Sequence, residues 1–243
     1  MKIISLFLAL FLIVSTPVRS QDNSFRINPK GLVLPVVLIG AGAIGGQIDA
    51  IKEIDFGLPS SPMHTHTGFV LEDAVQYAPV AAFYALNMGG LKSAHNLKDG
   101  TALVAASYCI TAAATYALKK VVDERRPNGA DYDAFPSGHA AVSFMGAELL
   151  RLEYKDHCPW IGYAGYAAAT YTSLARLRHS EHWFHDLLAG AGVGILGTRV
   201  AYWAAPWLHN KLFPAKAGGK EFSMFGMPFY NGNVAGVSLA MVF

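Results

Sequence analysis

Eighteen consecutive residues, 101–118, carry no charged side chain, and that run constrains the fold more than any other feature of the chain. It approaches the roughly 20 residues that a helix needs to cross hydrocarbon, so it either spans a membrane or lies within a large helical core. Other apolar segments accompany it at 31–46, 78–90, 140–150, 160–174 and 187–208, the last interrupted by Arg199. Alanine, leucine and methionine dominate these segments over β-branched residues, which favours helix. Charged residues make up only 15% of the 243-residue chain, against about 25% in ordinary globular proteins. With 24 glycines, that deficit suits helices packed closely in or beside a membrane. The expected fold is therefore an all-α helical bundle. Tilted spans and the buried core of a soluble helical protein both satisfy the pattern, and a membrane-embedded bundle is the expected one.

The two ends differ from this middle. Lys2, the apolar stretch 3–14 and Val18-Arg19-Ser20 read as an export signal over residues 1–20, either cleaved before Gln21 or retained as an anchor helix. An N-terminal segment, 21–66, follows it, then a catalytic domain expected over 67–210. In the tail, 211–243, Asn231-Gly232 is a hairpin turn signal, and Val237, Leu239, Met241 and Phe243 alternate with small residues. A short terminal β-hairpin is expected there. The net charge of +2 and the lack of a basic run with interleaved aromatics argue against nucleic acid as a partner. Cys109 lies in the uncharged helical run and Cys158 in a polar turn, which excludes a disulfide framework.

Chemistry is concentrated at three places: Lys119 with Arg126-Pro127, then Pro136-Ser137-Gly138-His139, then Arg176, His182 and Asp186. Helix parity brings them together. The helix of 101–118 ends at the first motif, the helix after Pro136 leaves from that side, and the helix of 160–174 returns to deliver Arg176. Lys119, Arg126 and Arg176 supply fixed charge and donors for a phosphoryl group. Ser137 and Gly138 open a helix, where free N–H groups and the dipole suit an anion. His182 and Asp186 are four residues apart, so on a helix they share a face and can hydrogen-bond. Such a carboxylate fixes the imidazole tautomer. A histidine held in that way can attack phosphorus, while His139 protonates the departing oxygen and later activates water.

These residues resemble the type 2 phosphatidic acid phosphatase (PAP2) superfamily, whose pattern is K-x6-RP, PSGH and SR-x5-H-x3-D. Here it reads Lys119-x6-Arg126-Pro127, Pro136 to His139, and Ala175-Arg176-x5-His182-x3-Asp186. Ala175 stands where the family usually has serine, which removes one phosphate contact worth about 1 kcal/mol. The resemblance implies the helical bundle shared with vanadium haloperoxidases. It also implies a phosphohistidine at His182, an acid at His139, and no metal or other cofactor. The stretch from Tyr77 through Ala167 is similar to a branch in the envelope of certain Gram-negative bacteria that includes lipid A phosphatases.

Each motif alone has a plainer explanation. Lys119 could be a snorkelling lysine at a helix end, Pro136 to His139 an N-cap with a surface histidine, and His182 with Asp186 an ordinary helix pair. Coincidence must then explain order, spacing and shared face together. His179, His182, His185 and Asp186 also have zinc-like spacing, and His64 and His66 form a second pair. The phosphate chemistry already accounts for His182 and Asp186, so no metal is expected.

The expected function is a metal-independent phosphatase acting on a phosphorylated lipid, of lipid A or polyprenyl diphosphate type. The alternatives are a soluble periplasmic non-specific acid phosphatase, a vanadate-dependent haloperoxidase and a non-enzymatic membrane scaffold. In a bacterial inner membrane, with 31–46 not spanning, the active site faces the periplasm. The lysines at 211, 216 and 220 then lie inside, as the positive-inside tendency favours.

Overall fold

The structure is a computed structural model that describes residues 29–48, 51, 71–212, 223–230 and 235–242. The expected export signal, His64, His66 and the expected turn at Asn231-Gly232 lie outside the described residues. In chain order the elements are α1 (Pro29–Gly45), α2 (Leu71–Val75), α3 (Ala78–Met88), α4 (Leu97–Val121), α5 (Gly138–Tyr154), α6 (Pro159–Arg178), α7 (Phe184–Leu212), β1 (Ser223–Tyr230) and β2 (Ala235–Val242). The expected helical bundle is observed, and so is the C-terminal hairpin. Its strands pair antiparallel from Ser223↔Val242 to Tyr230↔Ala235. Two compact units divide the chain, Met1–Ala205 and Pro206–Phe243.

Helix ends follow local chemistry. The Asn96 side chain caps α4 by accepting from the N–H of Asp99 at 2.9 Å, and Asp99 sits in the first turn. Lys119 and Lys120 occupy the last turn of α4, where cations complement the helix dipole. These caps extend α4 beyond the uncharged run at both ends. Proline at the first position opens α6, where its missing N–H costs nothing. The short α2 lies in a polar stretch without helical periodicity, and composition offered no sign of it.

The first unit is built around α5, whose residues from Ala140 to Tyr154 are mostly buried. Phe83 of α3 packs with Leu149, Leu150 and Tyr154 in a fully buried cluster. Small residues set how closely α7 approaches its neighbours. A Cβ on Gly194 would run into the Ala141 carbonyl and lie 2.8 Å from the Met145 nitrogen, both on α5. One on Gly190 would lie 2.5 Å from the Ser137 carbonyl oxygen. Gly190 and Gly194 therefore form a small-xxx-small stripe of the kind that lets helix backbones touch. On another face of α7, Gly192 meets Ile39 and the Pro35 carbonyl of α1.

Arg199, which interrupts the last apolar segment, is accommodated by a buried acid. Glu148 on α5 accepts from Arg199 Nε at 2.6 Å and from Arg151 Nε and Nη2 at 2.7 Å each. Toward the end of α5, buried Glu153 accepts from the His95 backbone N–H at 3.0 Å, with His95 Nδ1 at 2.8 Å and the Tyr202 hydroxyl also on its carboxylate. Outside, apolar side chains face away from the bundle: Val33, Val37 and Ile44 on α1, Tyr108 and Tyr116 on α4, Trp160, Tyr163 and Leu174 on α6. The helices Leu97–Val121 and Phe184–Trp207 are long and apolar enough to cross a membrane.

Candidate active site

The loop between α4 and α5 folds back on itself. Its turns are closed by Arg126 N–H to the Asp131 carbonyl at 3.0 Å and by Ala134 N–H to the Glu124 carbonyl at 3.1 Å. The Lys119 ammonium, at the end of α4, donates to the Asp133 carbonyl. This fixes the next carbonyl, that of Ala134, to face His182: His182 Nδ1 lies 2.8 Å from it. A carbonyl oxygen can only accept, so Nδ1 carries the proton and Nε2 presents its lone pair.

The spacing of Arg176 and His182 comes from the way α6 stops. Glu181 N–H donates to the Arg176 carbonyl at 3.1 Å and Ser180 N–H to the Leu177 carbonyl at 3.0 Å, with Ser180 at φ 54°. These two bonds and the left-handed residue make a Schellman turn. The chain reverses within five residues, bringing Glu181 back over Arg176 and placing His182 directly after it. Asn128 N–H donates to the Ser180 carbonyl at 3.0 Å, which ties the Arg126-Pro127 loop to the same turn.

His182 is 2% exposed. Burial pushes its pKa below the ordinary histidine value, against the opposing pull of Asp186. The expected pairing with Asp186 is looser than helix geometry suggested, because α7 begins only at Phe184 and His182 lies before it. Asp186 Oδ2 is 3.6 Å from His182 Nδ1, beyond a hydrogen bond, and instead accepts from the Trp183 backbone N–H at 2.8 Å. That contact is the carboxylate half of a capping box at the start of α7. His182 is thus oriented by a carbonyl, and Asp186 acts on it as a nearby buried charge.

Ser137 and His139 reach the same place from α5. Ser137 N–H donates to the Asp186 carbonyl at 3.1 Å, and its hydroxyl caps the helix by accepting from Ala140 N–H. The phosphate role expected of Ser137 therefore cannot use its own N–H. The groups suited to an anion are the first-turn N–H groups of Gly138 and His139, which have no acceptor within the helix. A Cβ on Gly138 would meet no atom within 4 Å, so packing does not require glycine there. His139 Nε2 is 2.7 Å from Asp73 Oδ1, and Arg176 Nη1 is 3.8 Å from that same oxygen. Burial and then Arg176 lower the His139 pKa, and Asp73 opposes them.

All eight residues expected from sequence lie along this connected set of loops and helix ends. Four participants were not anticipated: Asp73 on α2, Glu124 in the loop, Ala134 through its carbonyl, and Glu181. One signal for the acids was available. Three cations converging in a charge-poor chain require counter-anions when no ligand is bound. Among the described residues, the metal-capable cluster is Glu124, His185 and Asp186, whose ligand atoms lie within 4.8 Å of one another, rather than a set with His179 and His182. His185 Nε2 lies 3.0 Å from Glu124 Oε2 and 3.3 Å from Asp186 Oδ1, so imidazole–carboxylate contacts can hold the three together without a cation.

Residues 100–210 match the PAP2 superfamily. Over 78 residues the chain is 44% identical to the lipid A 1-phosphatase of Porphyromonas gingivalis, a stretch covering 32% of this chain and 18% of that protein. The chain thus matches less than a fifth of the length of that curated relative. The crystal structure of Aquifex aeolicus LpxE is similar at 17% sequence identity with a TM-score of 0.44, over 54% of this chain and 82% of that one. The family resemblance read from the three motifs is borne out by the matched segment, which contains all of them.

Proposed function

We propose that this chain is a phosphatase that hydrolyses a phosphate ester of a lipid through a phosphohistidine on His182, without a metal. The observation that carries the reading is the Ala134 carbonyl on Nδ1 of a buried His182, which leaves Nε2 as a nucleophile in the field of Arg126 and Lys119. Nε2 attacks phosphorus and the bond from phosphorus to the ester oxygen breaks. His139 gives its proton to that oxygen as it leaves. Water then attacks the phosphohistidine and gives its proton to His139, and inorganic phosphate departs. Lys119, Arg126, Arg176 and the N–H groups at the start of α5 hold the phosphoryl oxygens as their charge grows. Asp186 stabilises the imidazole when it becomes positive.

Two features support a lipid substrate in a membrane. Apolar side chains are exposed on α1, α4 and α6, and the motifs sit at the ends of α4 and α6 and the starts of α5 and α7. The 44% identity to a lipid A 1-phosphatase favours a lipid A or polyprenyl diphosphate type of substrate over a small soluble ester. We place the active site on the periplasmic side of a bacterial inner membrane, behind an export signal at 1–20, with the catalytic domain over 67–210.

Release of inorganic phosphate from lipid A, a polyprenyl diphosphate and p-nitrophenyl phosphate tests this reading, with His182→Ala as control. Turnover of a lipid is expected to exceed that of the soluble ester and to be lost in the variant. His182 must be neutral to attack, and its pKa lies below the ordinary 6.5. The acid limb of kcat/KM should therefore lie below that pH. A variant keeping a tenth of the activity would overturn the assignment of the nucleophile.

A further inference from the structure

Two cationic side chains dominate the phosphate side of the site, and they come from different parts of the chain. Arg126 lies in the loop after α4 and Arg176 in the last turn of α6. Their side chains are 16% and 8% exposed. Two guanidinium groups brought this close in a poorly hydrated place repel one another. A defined separation therefore needs an anion between them in the absence of substrate.

Glu181 meets that requirement. Its Oε2 accepts from Arg126 Nη1 at 2.7 Å and lies 3.4 Å from Arg176 Nη2. Its backbone carbonyl is also 3.4 Å from Arg126 Nη1. The carboxylate is held by its own backbone, because Glu181 N–H closes the Schellman turn on the Arg176 carbonyl. Its side chain is 10% exposed, so its bond to Arg126 is shielded from water and salt. On the opposite edge of Arg126, Asp131 Oδ1 accepts from Nε at 2.7 Å. Arg126 is thus clamped on two sides, which fixes the plane of its guanidinium.

We infer that Glu181 is a positioning residue for the phosphate clamp: one carboxylate oxygen sets the spacing and orientation of Arg126 and Arg176 before substrate arrives. This inference rests on the phosphatase reading above. A role in mere charge dilution would have the opposite consequence. If Glu181 only weakened the positive field, removing it would tighten the binding of an anion. If it positions the arginines, removing it loosens the clamp and weakens binding.

Inhibition by vanadate, with KM and kcat for phosphate release, separates these in the full-length protein. Glu181→Ala is expected to raise the vanadate Ki at least tenfold and to lower kcat/KM by a similar factor, with the helical circular dichroism signal retained. Glu181→Gln keeps an acceptor oxygen without the charge and should fall between Glu181→Ala and the parent. In an Arg126→Ala background, Glu181→Ala should cost less than it does in the parent, because one of the two guanidinium groups it acts through is already gone and only Arg176 remains. A Ki that is unchanged or lower in both Glu181 variants overturns the inference, and so does full additivity with Arg126→Ala. If Glu181→Ala does not fold, Glu181→Gln carries the same test. A parent protein that releases no phosphate and binds no vanadate overturns the phosphatase reading itself.

Discussion

At the scale of single residues, backbone groups orient His182, Asp186 and Ser137, while carboxylates orient Arg126, Arg176 and His139. The Ala134 carbonyl sets the His182 tautomer, the Trp183 N–H holds Asp186, and the Asp186 carbonyl holds Ser137. The sequence points to these side chains because their chemistry is specific. It cannot show which carbonyl they meet, because that depends on how residues 122–137 turn back over α7. Glu181 and Asp73 were obscure for another reason: a lone acid forms no motif. Gly138 offers a clean test of the proposed anion site at this scale. Its Cβ position is open, and alanine favours helix over glycine by about 1 kcal/mol. Gly138→Ala should therefore leave thermal stability unchanged or raised, while KM for the phosphate ester increases several-fold. A fall in Tm with unchanged KM would mean that this helix start serves packing and not phosphate.

At the scale of elements, the bundle was legible wherever the segment was long and uncharged. Segment 101–118 became the centre of α4, Leu97–Val121, and 140–150 lies within α5, Gly138–Tyr154. The ends were less legible, because caps and turns rather than hydropathy decide them: Asn96 starts α4 and the Ser180 turn stops α6. The α2 helix was missed altogether, since five residues in a polar stretch carry no period. The packing of α7 against α5 relies on Gly194, where a methyl group would collide with the Ala141 carbonyl. Backbone has little room to give, so Gly194→Ala is expected to cost about 1–3 kcal/mol or more. The cost should appear as a lower Tm for the detergent-solubilised protein. Unchanged stability would contradict the close helix contact.

At the scale of the whole molecule, the residues of the proposed phosphate site lie at helix ends and in the loops between them, while α1, α4 and α6 expose apolar side chains. That combination suits an enzyme that meets a phosphorylated headgroup at a membrane surface while the helices stay in the hydrocarbon. The side on which the site opens is testable. A cysteine introduced between residues 128 and 133, in a Cys109→Ser, Cys158→Ser background, should react with a membrane-impermeant thiol reagent in intact spheroplasts. Labelling only after lysis would reverse the proposed orientation. The central claim is a covalent phosphoryl-enzyme on His182, and rapid acid quench during turnover tests it most directly. With substrate labelled in its phosphate, the protein should carry an acid-labile phosphoryl group that maps to the peptide containing His182 and chases into inorganic phosphate. Steady turnover with no trapped label under these conditions, or label on another residue, would contradict the account.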